Sequence, residues 1–188
     1  MFRLNRHPAN PILRPSDHAW ENRWVFNCGA AIYEGQIRLL YRAQGADRIS
    51  RFGLATLADD GVTVVSRSTV PVFEPDAGND YEALGVEDPR ITQIENIYYF
   101  TYTAVSAYPP LLSGPTEHHL TGWRTRVSIA HTKDFKNFTS HGVIISHIDS
   151  KDAVIFPEKF NGEYVMFHRV FPNIHLAVSA DLHSFKER

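Results

Sequence analysis

Apolar positions fall in short, broken runs along this chain, as in Ile37-Arg38-Leu39-Leu40-Tyr41, Ile97-Tyr98-Tyr99-Phe100-Thr101-Tyr102 and Tyr164-Val165-Met166-Phe167-His168. The runs are rich in β-branched and aromatic residues, too short for helices, and bounded by Gly, Asn, Asp or Pro, so they read as strands. Only Asp17 to Trp24 offers a brief helical turn. A nearly all-β chain is expected.

The strands recur in a fixed order. Gly29 to Arg42 reads as strand, Glu34-Gly35 turn, strand; Asp88 to Tyr102 repeats this with Glu95-Asn96 at the turn, and Ala153 to His168 with Asn161-Gly162. Such pairs suit hairpin loops that need positive φ. After each hairpin comes a small-residue strand, an acidic turn and an outer strand: Phe52 to Val62, Arg126 to Phe138, and Ile174 to Phe185. Four strands per repeat is the pattern of a propeller blade, the alternative being a sandwich of unrelated hairpins. Repeats near 27–67, 85–145 and 150–187 then make residues 1–188 a single partial β-propeller domain. Three blades do not close a ring, since propellers have about four to eight. The third repeat runs into Lys186-Glu187-Arg188 with no closing strand in view. The expectation is a fragment, half of a split protein or an assembly subunit. Its open blade, with exposed strand edges, would pair with another copy as a homo-oligomer or with a complementing fragment.

Composition narrows the function classes. With 188 residues, 43% hydrophobic and 21% charged, the chain has the apolar material for a folded core, which excludes disorder and coiled coil. A formal charge of −2 gives no broad attraction for nucleic acid or an anionic membrane surface. No run approaches the roughly 20 apolar residues of a membrane span. Cys28 is the only cysteine, and Met1-Phe2-Arg3-Leu4-Asn5-Arg6-His7-Pro8 lacks the apolar core of a signal peptide, so a soluble protein in a reducing, cytoplasmic setting is expected. Cys28 itself reads as a buried small residue rather than a nucleophile. Ten histidines include His118-His119 in the insertion from Ser106 to Trp123, but no metal-binding spacing is evident, and no metal is assigned. That insertion reads as a loop over the channel mouth, where Tyr108 and Trp123 would stack on sugar or pack on the blade.

Propeller sites form where the innermost strands converge, and each repeat opens on polar residues: Asn27-Cys28, Glu87-Asp88-Pro89-Arg90 and Ser150-Lys151-Asp152. Phe26-Asn27-Cys28-Gly29-Ala30, Leu40-Tyr41-Arg42, Gly85-Val86-Glu87-Asp88-Pro89-Arg90-Ile91-Thr92, Phe156-Pro157-Glu158-Lys159 and Phe167-His168-Arg169 stand in this order over nearly the whole chain. In that order and spacing the sequence resembles glycoside hydrolase family 130. The resemblance implies a five-bladed propeller with about three blades present here. It further implies phosphorolysis of β-mannoside oligosaccharides with inversion, giving mannose 1-phosphate, with inorganic phosphate as co-substrate and no other cofactor.

Residue by residue, the resemblance makes Asp88 the general acid, and the chemistry agrees. A glycosidic oxygen leaves poorly unless protonated, and the resemblance implies that the proton reaches it through a sugar hydroxyl. The competing reading makes Asp88 a turn residue before Pro89. Side-chain alternation would let only one of Glu87 and Asp88 face the channel. Phosphate is its own nucleophile, so a phosphorylase needs cations where a hydrolase needs a second carboxylate. Arg48, Arg126 and Lys151 fall in the phosphate-binding segments, with Arg124 and Lys159 as close competitors and solvated surface charge as the bland reading. Asn27 and Arg42 would bind mannose hydroxyls, and His168 with Arg169 would complete a pocket. Two other functions stand beside this one: hydrolysis with Glu158 as second carboxylate, and a truncated propeller that only binds carbohydrate or assembles. Family members are longer, with contacts from two more blades. Cys28 stands where small polar residues such as serine are seen.

Overall fold

The computed structural model describes residues 5–108 and 122–188; the expectations placed on His118 and His119 lie outside them. Among the described residues, strands account for nearly all regular structure, in three groups of four. The first blade comprises β1 (Trp24–Tyr33), β2 (Gln36–Gln44), β3 (Ser50–Leu57) and β4 (Val64–Arg67), paired antiparallel in chain order. The second comprises β5 (Gly85–Ile94), β6 (Ile97–Ala107), β7 (Trp123–Thr132) and β8 (Phe138–Ile145). The third runs through β9 (Lys151–Phe160), β10 (Glu163–Val170), β11 (Asn173–Ser179) and β12 (Lys186–Glu187). Three propeller blades are therefore present, with the innermost strand first in each.

Local chemistry accounts for the hairpins. Glu34, Glu95 and Asn161 take φ of 49°, 54° and 51°, the left-handed geometry that two-residue hairpin turns require. The third blade does have a fourth strand, contrary to the sequence reading. Val178 pairs with Lys186 and Ala177 with Glu187. Two charged, exposed residues carry no apolar signal, and such charges blunt a sheet edge. The expected helical turn at Asp17 to Trp24 is also corrected: residues 17–23 form turns and bends, held by the Glu21 N–H bond to the His18 carbonyl. Fully buried Glu21 instead anchors this arm, accepting from Ser16 Oγ at 2.6 Å, Tyr41 Oη at 2.9 Å and Arg67 Nη2 at 2.6 Å. A 3-10 turn that the periodicity missed lies at Asp80–Glu82, capped by Asn79, whose side chain accepts from the Tyr81 N–H.

Blades adhere through their apolar faces. Leu40, Phe52, Val86, Phe100, Tyr102 and Ala104 fill the space between the first two, and Val127, Ile129, Ile145, Ala153, Ile155 and Met166 that between the second and third. At about 1.5–3 kcal/mol for each large buried side chain, these clusters outweigh the cross-blade hydrogen bonds, each worth about 1 kcal/mol. The bonds set register: Tyr98 Oη donates to the Ile32 carbonyl at 2.8 Å, and Thr92 Oγ1 to that of Ile155 at 2.8 Å. Gly85, with φ of 126°, bridges β5 to Ser50 of β3, and a Cβ there would lie 2.6 Å from the Ser50 nitrogen. Only glycine lets the blades meet so closely at the end that carries the polar residues. The third blade leaves Val154, Phe160, Phe167, Phe171 and Ile174 exposed.

Candidate active site

The first strand of each blade is interrupted near its start by an acidic or amide residue with positive φ: Asn27 at 40°, Asp88 at 54° and Asp152 at 52°. Register breaks accompany all three, between Phe26 and Cys28, between Glu87 and Arg90, and where Val154 and Lys151 face Phe167 and Arg169. Asn and Asp tolerate the left-handed region better than other side-chain-bearing residues, and a bulge re-aims the side chain it carries. The same device thus turns one polar residue per blade at the same end of the sheets. The bulge also corrects the expectation that only one of Glu87 and Asp88 faces the site. Broken alternation sends both carboxylates to Arg42, which pairs with Glu87 through Nη2 and with Asp88 Oδ1 through Nη1 at 3.1 Å.

Arg42 organises this cluster. Its Nε donates to Ser50 Oγ at 3.0 Å, Ser50 Oγ donates to Glu87 Oε1 at 3.2 Å, and the guanidinium lies 4.3 Å from the Phe26 ring centroid. Asn27 Nδ2 donates to Asp88 Oδ1 at 2.9 Å. Both anchors thus grip Oδ1, and no hydrogen bond to Asp88 Oδ2 is found among the described residues. One carboxylate oxygen is fixed while the other is left for a ligand.

A cavity of about 530 Å³ opens beside the cluster, lined by Arg42, Glu87, Ser150, Lys151, Arg169 and Trp123 among others. That volume suits a small oligosaccharide with phosphate. Lys151 makes no ion pair among the described residues, so its charge is available in the cavity. Arg169 is partly committed, with Nη1 at 3.0 Å from Asp152 Oδ2. Asp88 is not among the residues that line this cavity, but it is joined to its wall through Arg42.

The other sequence candidates divide. Arg48, with φ of 62°, sits exposed on the turn between β2 and β3 at the same end of the blades, its guanidinium unpaired among the described residues. Arg126 is brought near but is already saturated: it pairs with Asp149 Oδ1 at 2.6 Å and donates to the Ser146 and Thr125 carbonyls and to Tyr108 Oη. Arg124, its competitor, stacks on Tyr81 and donates to Ser106 Oγ. Lys159 lies over the Tyr164 ring near the far hairpin of β9. Glu158 stands beside it, exposed and six residues beyond Asp152, or about 20 Å along an extended strand. It is not placed to activate water opposite Asp88, which corrects its assignment as second carboxylate.

His168 is also corrected as a sugar ligand. It is fully buried, its Nδ1 lies 2.7 Å from Ser150 Oγ, and it acts on the cavity only through that serine. Tyr108 is tied to Asp149 Oδ2 at 2.9 Å, while Trp123 lines the cavity as the sequence reading allowed. Cys28 is exposed rather than buried, because the Asn27 bulge shifts the register. Neighbouring atoms still shield its sulfur enough to push the thiol pKa up, so the thiol stays protonated near neutral pH and is a poor nucleophile. Sequence reasoning did not single out Ser50, Asp149 or Asp152. Asp152 had a signal, the recurrence of Asn or Asp at the start of each repeat.

Burial pushes the Glu87 carboxyl up from its ordinary pKa; Arg42 opposes this and Asp88 adds to it. A carboxyl that holds its proton more tightly when folded contributes stability below the ordinary carboxylate range and loses it as pH rises through its folded pKa. Glu87→Gln removes that loss. Urea unfolding at about pH 4 and about pH 7 is expected to show the variant gaining on the parent protein as pH rises. A variant that falls behind at the higher pH would mean that the Arg42 pair outweighs burial.

Comparison with known proteins places this arrangement in context. The sequence profile of glycoside hydrolase family 130, described as beta-1,4-mannooligosaccharide phosphorylase, matches residues 3–188. The 1,2-beta-oligomannan phosphorylase of Thermoanaerobacter sp. (strain X514) is 35% identical over 190 residues, covering 97% of this chain and 58% of that protein. A beta-1,2-mannobiose phosphorylase of the same organism is 36% identical over 192 residues, covering 94% and 58%. Among solved structures, one reported under the finding that this family of mannoside phosphorylases contains hydrolases targeting β-1,2-mannosidic linkages in Candida mannan superposes with a TM-score of 0.80. It is 26% identical, covering 97% of this chain and 57% of the other. The chain therefore spans under three-fifths of the length of the curated relatives it matches.

Proposed function

Since the chain belongs to glycoside hydrolase family 130, we propose that it serves inverting phosphorolysis of β-mannosides, with Asp88 as general acid and inorganic phosphate as nucleophile. The observation that carries this reading is the one-sided grip on Asp88: Asn27 and Arg42 hold Oδ1, and Oδ2 is left to deliver a proton. Phosphate oxygen attacks the anomeric carbon from the face opposite the glycosidic bond. That bond breaks, and its electrons pass to the departing oxygen, which takes the Asp88 proton directly or through a sugar hydroxyl. The products are mannose 1-phosphate of inverted configuration and a shortened sugar. Lys151 and Arg48, unpaired among the described residues, supply positive charge for the phosphate, and Arg126 contributes once Asp149 shares or releases it. Asn27 and Arg42 orient the mannose.

Both relatives reported at 35 and 36% identity are named for β-1,2-linked mannans, so β-1,2-mannobiose is the preferred substrate in this reading and β-1,4-mannobiose the comparison. A cytoplasmic setting, where Cys28 stays reduced, belongs to the same proposal. So does completion of the channel by further blades or a second copy against the exposed apolar face of the third blade. Hydrolysis is the second reading, favoured by the family's hydrolases in the structural comparison. Incubating the protein with either disaccharide and phosphate tests both, with light scattering to report the assembly state. Mannose 1-phosphate is the expected product; free mannose alone would establish hydrolysis instead.

A further inference from the structure

The third blade gathers a second set of polar groups that the sugar chemistry does not use. His168 of β10 lies directly opposite His175 of β11, and Glu187 of β12 pairs with Ala177, two residues along β11 from His175. By strand alternation all three side chains project from one face of the sheet. His175 Nδ1 lies 3.2 Å and His168 Nε2 3.5 Å from Glu187 Oε1, and one ligand atom from each residue falls within 4.8 Å of the others. His147 Nε2 adds a further donor 3.6 Å from Glu187 Oε2.

Two observations separate this cluster from an ordinary surface ion pair. His168 is fully buried, yet its Nε2 makes no hydrogen bond among the described residues. Burying a polar nitrogen without a partner is costly, and such atoms call for an explanation. The opposite nitrogen, Nδ1, is held by Ser150 Oγ at 2.7 Å. With the proton on Nδ1, donated to that hydroxyl, the Nε2 lone pair faces His175 and Glu187, as it does where a second hydrogen bond orients a ligating imidazole. The spacing also fits. Tetrahedral bonds of about 2.0–2.1 Å put ligands about 3.3–3.4 Å apart, close to the two separations found.

We propose that the third blade carries a site for a divalent transition ion, Zn2+ by its imidazole and carboxylate donors, ligated by His168 Nε2, His175 Nδ1 and the Glu187 carboxylate, with solvent in the fourth position. The ion is structural. It ties the two-residue strand β12 to β10 and β11 and fixes His168, which in turn holds Ser150 in the cavity wall beside Lys151. The stacked pair His131 and His141 is a different arrangement. Its ring nitrogens lie 2.7 Å apart, so one N–H occupies the other's lone pair.

Calorimetric titration of the chelator-treated protein with Zn2+ tests the site, together with Co2+ as a visible-absorption probe and thermal unfolding with and without Zn2+. One equivalent should bind, raise Tm by mass action, and give Co2+ the intense d–d bands of four-coordination. His175→Ala and Glu187→Gln, at partly exposed positions that leave the core intact, should each weaken binding at least tenfold, and His141→Ala should leave it unchanged. No binding, binding that survives both ligand variants, or binding lost in His141→Ala would overturn the proposal.

Discussion

Replacing Asp88 by Asn is expected to slow phosphorolysis of β-1,2-mannobiose by about a hundred- to ten-thousand-fold, the range that general acid catalysis contributes. The fold should be untouched. Asn keeps an oxygen where Asp88 Oδ1 accepts from Asn27 and Arg42, so the anchors at 2.9 and 3.1 Å survive while the transferable proton is lost. Leaving-group chemistry sharpens the result. An aryl β-mannoside departs without protonation, so with that substrate the Asp88→Asn variant should recover most of its rate. A uniform loss on both substrates would assign Asp88 to binding rather than acid catalysis. Glu87 is the rival acid, because its carboxyl is buried, raised in pKa and held by the same arginine. If Glu87→Gln abolished turnover and Asp88→Asn spared it, the roles would exchange.

That rivalry marks where the sequence ceased to be legible. Hairpins were readable because Glu34-Gly35, Glu95-Asn96 and Asn161-Gly162 carry their backbone requirement in residue type, and the family motif around Glu87-Asp88-Pro89-Arg90 pointed to the residues that cluster on Arg42. The bulges were not readable as geometry. Alternation gave Glu87 and Asp88 opposite faces, and only the positive φ of Asp88 shows that both turn to Arg42. Arg126 falls in the expected segment, yet nothing in its neighbours announces Asp149, more than twenty residues away, as its partner. His168 looked like a pocket residue by its position at a strand end. Which face of the strand it takes depends on the register of β10 against β11, and that register buries it. The cluster it shares with His175 and Glu187 has no local spacing motif, because its members come from three adjacent strands.

Arg42 is where the largest stability effect is expected. Arg42→Ala should destabilise the protein by about 3–5 kcal/mol, the range for removing one partner from a buried ion pair. Its side chain is 13% exposed, and Glu87 and Asp88 are 19% and 13% exposed, so solvent can do little to replace it. Two adjacent carboxylates would then share a site with no cation between them, and the Phe26 ring would lose its cationic neighbour. Repulsion between the pair requires that one of them take a proton. Urea unfolding of the variant should therefore show a deficit that narrows as pH falls through the carboxylate range, since protonation relieves what Arg42 no longer neutralises. Arg42→Lys should recover only part of the loss, because an ammonium cannot reach Glu87, Asp88 and Ser50 with the guanidinium's fixed fork. A deficit of under about 1 kcal/mol, typical of a surface pair, or one that does not change with pH, would mean that the carboxylates find other partners and that Arg42 serves the substrate alone.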